Sequence, residues 1–474
     1  MKKQFVMAVL AAFSLSMTAT AQNLKGFAYG DVEAPRGYSY EKGQAAGLVE
    51  WESPEELALN KEQPKAWFFT FGNEESARKV LPENSEYYMS LDGTWSFNWV
   101  ANPWERPVDF FKTDYDVSGW DKVQVPMNWN VYGLQADGSQ KYGTPIYVNQ
   151  PVIFKHQVAV GDWKGGVMRE PAQHHTTYKY RNEVGSYRRT FTVPENWDGR
   201  EVYINFDGVD PFFYLWINGK YVGFSKNSRN LAAFNITKYL VEGENVVAVE
   251  VYRNSDASFL ESQDMFRLPG IFRTVSLTSV NPLELRDIRV RTDLDEEYKD
   301  AVANIEVDIR NLTGKKAKKY QVQVQLYKNA LYSDENEIVE GATATAALGD
   351  LLSGDTKTLQ IALPVENPAK WSAEEPNRYT LVVSLLDKKG RVVEVASTYM
   401  GFREVEIRET PASEDEFGLA GRYYYLNGKP IKMKGVNRHE NNIERGHAVT
   451  REQMYNEVML MLQGNINHVR NAHY

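Results

Sequence analysis

The sequence predicts a multidomain, mainly β protein that closes on a short parallel α/β unit. Three observations carry this. Apolar and polar residues alternate through much of residues 88–405, as in Val202, Ile204 and Phe206 against Tyr203, Asn205 and Asp207, which is the period of a half-buried strand. Turn dipeptides such as Asn218-Gly219 separate these runs. After residue 430 the pattern changes to strand, helix, strand. A length of 474 residues suits about three domains of 100–200 residues each.

Residues 1–21 read as a signal peptide. Lys2 and Lys3 make a positive start, residues 5–15 are apolar, and Ala19-Thr20-Ala21 before Gln22 has the small-residue form of a cleavage site. The apolar run is shorter than the about 20 residues a membrane-spanning helix needs. The expectation is an exported protein with no membrane span, periplasmic in a Gram-negative host or extracellular. Residues 22–87 form an N-terminal arm rich in Gly, Pro and charge. Its simplest reading is a polar linker that packs a few aromatics on the next domain.

In residues 88–280, Phe213, Leu215 and Ile217 lead into Asn218-Gly219, and Lys220-Tyr221-Val222 returns. Asn-Gly accepts the positive φ angles of a type I′ hairpin turn. Val247, Val249 and Val251 add a further strand. Many short strands with turn signals argue for a sandwich or jelly roll. In residues 281–405, Ile305, Val307 and Ile309 alternate with polar residues, and Tyr320, Val322, Val324 and Leu326 alternate with glutamines. This suits a second sandwich of immunoglobulin-like size.

Residues 406–474 open the α/β unit. A strand is expected over 431–437, followed by a polar loop with Arg438, His439, Glu440, Asn441 and Asn442. Thr450-Arg451-Glu452-Gln453 has the form of a helix capping box. Met454, Val458, Met461 and Leu462 then mark one apolar helix face, and Gly464 is expected to end the helix in a left-handed conformation. A second strand over 466–470 leads to His473. His439 and His473 therefore stand just past the carboxyl ends of consecutive parallel strands, where catalytic groups gather in α/β barrels. For either histidine alone, a bond to neighbouring backbone is the simpler reading. His174-His175, adjacent on an extended segment, point to opposite faces and read as surface residues.

Composition narrows the function. With 54 Lys plus Arg against 63 Asp plus Glu, the formal charge is −9, which gives no electrostatic reason to bind nucleic acid. No cysteine is present, which excludes disulfides, thiolate metal sites and a cysteine nucleophile. The 28 Tyr, 21 Phe and 11 Trp suit both large sheet cores and the stacking of sugar rings. Asn235-Ile236-Thr237 and Asn311-Leu312-Thr313 match the glycosylation sequon, a match frequent by chance.

Several segments, taken together, resemble the large retaining β-galactosidases of glycoside hydrolase family two. They include Trp51-Glu52-Ser53-Pro54 with Asn60-Lys61, Leu91-Asp92-Gly93-Thr94-Trp95, Val125-Pro126-Met127-Asn128-Trp129 and Pro145-Ile146-Tyr147-Val148-Asn149. Further along come Phe206-Asp207-Gly208-Val209, Leu215-Trp216-Ile217-Asn218-Gly219, Glu261-Ser262-Gln263-Asp264-Met265-Phe266-Arg267, Gly270-Ile271-Phe272-Arg273, Trp371-Ser372-Ala373-Glu374-Glu375-Pro376 and Gly401-Phe402-Arg403. The last are Lys434-Gly435-Val436-Asn437-Arg438-His439-Glu440 and Asn467-His468-Val469-Arg470-Asn471-Ala472-His473-Tyr474. The resemblance implies a sugar-binding jelly roll, an immunoglobulin-like sandwich and the first β-α-β of a (β/α)8 (TIM) barrel. It implies that Asn149, Asp264, His439 and His473 contact the sugar. The two histidines stabilise the transition state, and Asp264 also helps to hold a sodium ion. Unaided, Asn149 reads as a turn-capping amide, and Asp264 as a loop carboxylate paired with Arg267 or capping a turn.

Retaining glycosidases use two carboxyl groups about 5–5.5 Å apart, one as acid and one as nucleophile. In the resembled family these glutamates and the magnesium ligands lie on later barrel strands. They are expected beyond Tyr474, so the 474-residue chain alone is expected to be inactive. Glu440 reads as bonded to Arg438 or Asn441, Glu444 has no partner carboxylate, and Glu457 reads as lying within the helix, away from the strand ends. The last seventy residues, with an uncovered parallel edge, are expected to be poorly ordered or aggregation-prone alone. The expected substrate is a β-galactoside oligosaccharide or glycan, with homo-oligomerisation of the full-length protein left open. A β-glucuronidase or β-mannosidase, or a non-catalytic carbohydrate-binding protein, are the rival readings.

Overall fold

A computed structural model describes residues 25–39, 41, 49–148, 158–159, 162–163, 182–261, 263–415 and 418–472. The signal peptide, His174, His175, Asn149 and His473 lie outside the described residues.

The jelly roll is built from an eight-stranded and a four-stranded sheet. Strands Phe212–Ile217, Glu244–Tyr252, Val184–Thr192, Gly93–Val100 and Asp121–Val125 run side by side in the larger sheet, and Glu201–Phe206 pairs with Val275–Val280 in the smaller. Trp95, Phe97, Ile204, Phe206, Phe213, Leu215 and Val249 fill the space between them. The Asn218-Gly219 hairpin forms as expected, with φ of 49° and 78°.

The expectation of half-buried strands fails here, because both faces are covered. Strand Phe212–Ile217 is buried along its whole length, as are Tyr203, Asn205, Ala248 and Glu250. The arm covers part of the outer face and is more than a linker, while Phe110 and Phe111 cover Trp216, Arg106 covers Glu250 and Arg310 of the next sandwich lies over Tyr203. Val49 and Trp51 are fully buried, and the Trp51 ring stacks on Tyr252 with centroids 5.2 Å apart. Glu50 accepts hydrogen bonds from Gly37 N and from Tyr214 Oη at 2.6 Å. Arm strand Ala58–Leu59 extends the larger jelly-roll sheet, while Phe69–Phe71 extends a sheet of the next domain. The arm therefore ties the two sandwiches together by strand addition.

The immunoglobulin-like unit packs a three-stranded sheet on a five-stranded one. Ile305, Val307, Ile309, Val322, Val324 and Leu326 all face its core, as their alternation required. Asn235 and Asn311 both donate their amides to neighbouring groups.

A small antiparallel sheet, Val405–Thr410, Gly421–Leu426 and Lys429–Pro430, precedes the α/β unit. Strands Gly435–Arg438 and His468–Asn471 then pair in parallel, each shorter than the expected run. Helix Arg451–Gln463 joins them, and Thr450 with Gln453 forms the capping box in both directions. Its end differs from expectation. Gly464 has φ −78°, and Asn465 takes the left-handed turn at φ 54°. Ile466 N bonds Met461 O, and Asn465 N bonds Leu462 O, the two bonds of a Schellman cap, for which Asn serves in place of Gly. No residue of this helix is buried, and Met454, Val458 and Leu462 are all exposed.

Candidate functional site

The strand Met265–Arg267 pairs antiparallel with Ile146–Val148 and holds out a loop between Glu261 and Met265. Asp264 is exposed at its tip and accepts a hydrogen bond from Tyr147 Oη across the pair. It does not bond Arg267, whose guanidinium instead donates to the Glu261 and Gln263 carbonyls. Tyr147 and Phe266 lie beside it with ring centroids 5.2 Å apart. Tyr147 is 54% and Phe266 41% exposed, so two aromatic surfaces flank one carboxylate. That combination suits a sugar ring, whose C–H face is apolar and whose hydroxyls need acceptors.

Behind the loop lies a cavity of about 70 Å³ lined by Asp210, Arg229, Glu261, Arg267 and neighbours. Its size fits ordered water rather than a sugar. Glu261 is tied down by Ser228, which donates both its amide and its hydroxyl. Burial pushes Asp210 up to about 7, despite Arg229 3.8 Å away.

On the barrel side, His439 follows strand Gly435–Arg438 directly and is exposed. Glu440 bonds Arg438 at 3.2 Å, as expected, and also Arg273 of the jelly roll at 2.9 Å. Burial pushes its carboxyl up, but the two guanidiniums outweigh that and hold it below the usual range. Such a carboxylate stays ionised, which unsuits it as a general acid. Glu457 reaches back from the helix to Arg438 at 2.5 Å, so it serves the strand end after all.

Residues without a local sequence signal of a site form the seam between these two parts. Asn128, fully buried, accepts from His447 N at 2.7 Å and donates to Leu268 O at 2.6 Å. His447 is 2% exposed and packs edge-on against Phe272, with centroids 5.9 Å apart. Arg229 Nη2 stands 2.9 Å from His447 Nδ1. A guanidinium can only donate, so Nδ1 is the acceptor and the imidazole is neutral. Burial, then Arg229, Arg273, Arg267 and His439, all push its pKa well down. Asp264 acts electrostatically on Arg267, and Arg267 and His439 both act on His447. The Asp264 loop and the His439 loop thus share one cationic neighbourhood, although neither residue lines the small cavity. The Val125–Trp129 and Gly270–Arg273 segments were visible as motifs, whereas Gly446-His447-Ala448 carries no periodic signal.

Among the described residues no group of three or more His, Asp and Glu side chains is placed to hold a metal ion. Asp264 is one hard oxygen donor, suited to a cation such as sodium, but does not by itself complete a site.

Residues 88–281 match the sugar binding domain of glycosyl hydrolases family 2, residues 283–403 a second domain of glycosyl hydrolases family 2, and residues 418–474 its TIM barrel domain. The chain belongs to glycosyl hydrolase family 2. A beta-galactosidase of Priestia megaterium is 38% identical over 432 residues, covering 91% of this chain and 38% of the relative. One from Psychromonas ingrahamii is 33% identical over 425 residues, covering 90% of this chain and 37% of that protein. The chain thus spans under two-fifths of the relatives it matches and corresponds to the N-terminal portion of a family 2 member. Among solved structures, Bacteroides uniformis beta-glucuronidase superposes with a TM-score of 0.61 at 22% identity, over 82% of this chain and 39% of that one. A beta-glycosidase from Bacteroides vulgatus gives 0.55 at 23% identity, over 81% and 41%. Both likenesses concern the fold, which is the mainly β, three-part architecture expected of family 2.

Proposed function

We infer that the protein to which this chain belongs is an exported β-galactosidase. It removes terminal non-reducing β-D-galactose with retention of configuration. The observation that carries this reading is the 33–38% identity to proteins called beta-galactosidase over 84–91% of the chain. The exposed Asp264, Tyr147 and Phe266 cluster supports it, being chemically suited to one sugar ring.

In this reading Asp264 and Asn149 fix the sugar hydroxyls from the jelly-roll side. His439 and His473 supply directed hydrogen bonds from the barrel side, which favour the transition state only if they strengthen as charge develops. Asp264 would offer one oxygen to a sodium ion. The acid and nucleophile, and the magnesium ligands, are assigned to barrel strands beyond Tyr474. In this reading the seam through Asn128, His447 and Arg229 would set how far the Asp264 loop stands from the His439 loop.

The test is a panel of aryl β-D-galactoside, β-D-glucuronide and β-D-mannoside on the full-length protein, with the anomer released first followed by NMR. Turnover greatest on the galactoside with β-galactose appearing first is the expected result. Preference for the glucuronide or mannoside replaces the substrate, and no turnover at any enzyme concentration favours a carbohydrate-binding protein. The 474-residue chain alone is expected to give none.

A further inference from the structure

Where the arm crosses from one sandwich to the other, it roofs a cavity of about 290 Å³. That volume exceeds what one or two waters need and approaches that of small-molecule pockets. Four cationic and two anionic side chains line it. Arg310 bonds Glu62 and Glu284, each at 2.8 Å, and Arg286 lies 3.5 Å from Glu62. The two arginines therefore answer the two carboxylates.

Lys61 and Lys65 are left over. Among the described residues neither ammonium has an ion pair or a hydrogen bond, although Lys65 stands 4.4 Å over the Phe68 ring. Lys61 is only 5% exposed. An uncompensated buried charge is costly, and burial pushes Lys61 down to about 8 and lowers Lys65 as well. The charges that act on these two are Glu261 for Lys61, and Glu284, Arg286, Glu394 and Arg310 for Lys65. Neutral polar groups complete the wall. The Tyr203 hydroxyl accepts from Arg310 at 2.6 Å, and Asn205 with Thr278 adds an amide and a hydroxyl.

The geometry points to a ligand site in this cavity for a monosaccharide that carries a negative charge, a sugar acid or a sugar phosphate. The surplus of two ammonium groups selects an anion, and the amide, hydroxyl and phenol groups suit its hydroxyls. The site does not depend on the galactosidase reading, because its test is binding without turnover.

Titration calorimetry of the 474-residue chain with D-galacturonate, galactose 6-phosphate, galactose and inorganic phosphate tests it. One of the two sugar anions is expected to bind at least tenfold more tightly than both galactose and phosphate, and which one does so identifies the anionic group. Lys61→Met is expected to weaken that binding at least tenfold while unfolding no earlier than the parent, since it removes a buried unpaired charge. Just above pH 8, binding is expected to take up a proton, read from heats in buffers of differing ionisation enthalpy, and Lys61→Met is expected to abolish the uptake. Equal binding of galactose, phosphate as tight as the sugar anions, no binding of either sugar anion, or an unchanged Lys61→Met affinity each overturns the proposal. Lys65→Met serves as a second variant, expected to weaken the same anion.

Discussion

Arg229 on the jelly roll and His447 on the barrel segment meet through a hydrogen bond of 2.9 Å, with the histidine as acceptor. The bond is buried, since His447 is 2% exposed, and Arg229 also stacks 4.6 Å over the Phe272 ring that His447 touches. Leaving a buried partner unsatisfied costs about 1–3 kcal/mol. His447→Phe, which keeps a ring against Phe272, is therefore expected to lower stability to urea by about that amount. A double-mutant cycle with Arg229→Met should show a coupling of about 0.5–3 kcal/mol. Strict additivity of the two changes would count against the bond.

Gly446 makes the closest approach at this seam. Its φ is +64°, and a Cβ there would sit 2.6 Å from Asn128 Oδ1. Gly446→Ala meets both a left-handed backbone and a collision with a fully buried amide. A loss of about 1–3 kcal/mol is expected from the backbone alone, seen as a lower thermal midpoint. Asn128→Ala should lose a similar amount for a different reason, the orphaned His447 amide and Leu268 carbonyl.

Asp210 makes stability depend on pH. Burial raises its folded-state pKa to about 7, with Arg229, Arg267 and Arg253 opposing and Glu261 reinforcing the rise. The folded state thus binds a proton that the unfolded chain releases above about pH 4. Its contribution is fully present below pH 4 and falls away as pH rises to about 7, by at most about 1.4 kcal/mol for each pH step of one. Asp207, raised to about 6, and Glu394, raised to about 7, act in the same sense. Asp210→Asn should therefore narrow the gap between urea midpoints at acid and neutral pH without closing it. An unchanged gap would mean that Asp210 does not carry the effect.

Trp51 tests the arm as structure. Its ring is fully buried against Tyr252, and Trp→Ala in such a place costs about 3–5 kcal/mol. A polar linker would lose far less. Chemical denaturation followed by circular dichroism separates the two outcomes.

His439→Ala in the full-length protein is expected to lower kcat on an aryl β-galactoside by about 10²-fold or more, the scale for losing one transition-state donor. Asp264→Ala is expected mainly to raise KM, because it would act on substrate and transition state alike. If His439→Ala changed KM alone, its assigned role would be wrong.

Much of the fold was legible because its signals are local. Alternation in Ile305, Val307 and Ile309 marks a buried face, Asn218-Gly219 marks a hairpin, and Thr450 with Gln453 marks a helix start. Each depends on a few adjacent residues and survives any tertiary context. Gly464 misleads because Gly and Asn both accept positive φ, and only the closing Schellman bonds choose between neighbours. The burial of Tyr203 and Asn205 was not legible either. A period of two gives the two faces of a strand, but not whether distant segments, here the arm and Arg310 of the next sandwich, cover the second one.

Residue types and their local order were enough to make this a cysteine-free, mainly β family 2 chain with two sandwiches and the start of a barrel. They also marked Asp264 and His439 as candidate sugar contacts. Tertiary contacts alone bring Asn128, Arg229 and His447 together to join the sandwich to the barrel, and leave buried Lys61 and half-buried Lys65 of the arm beside one cavity with no ion pair among the described residues. The physical reason is that hydrogen bonding and charge compensation act through space over a few ångströms. The partners concerned lie on segments up to 319 residues apart in the chain, beyond the reach of any local pattern.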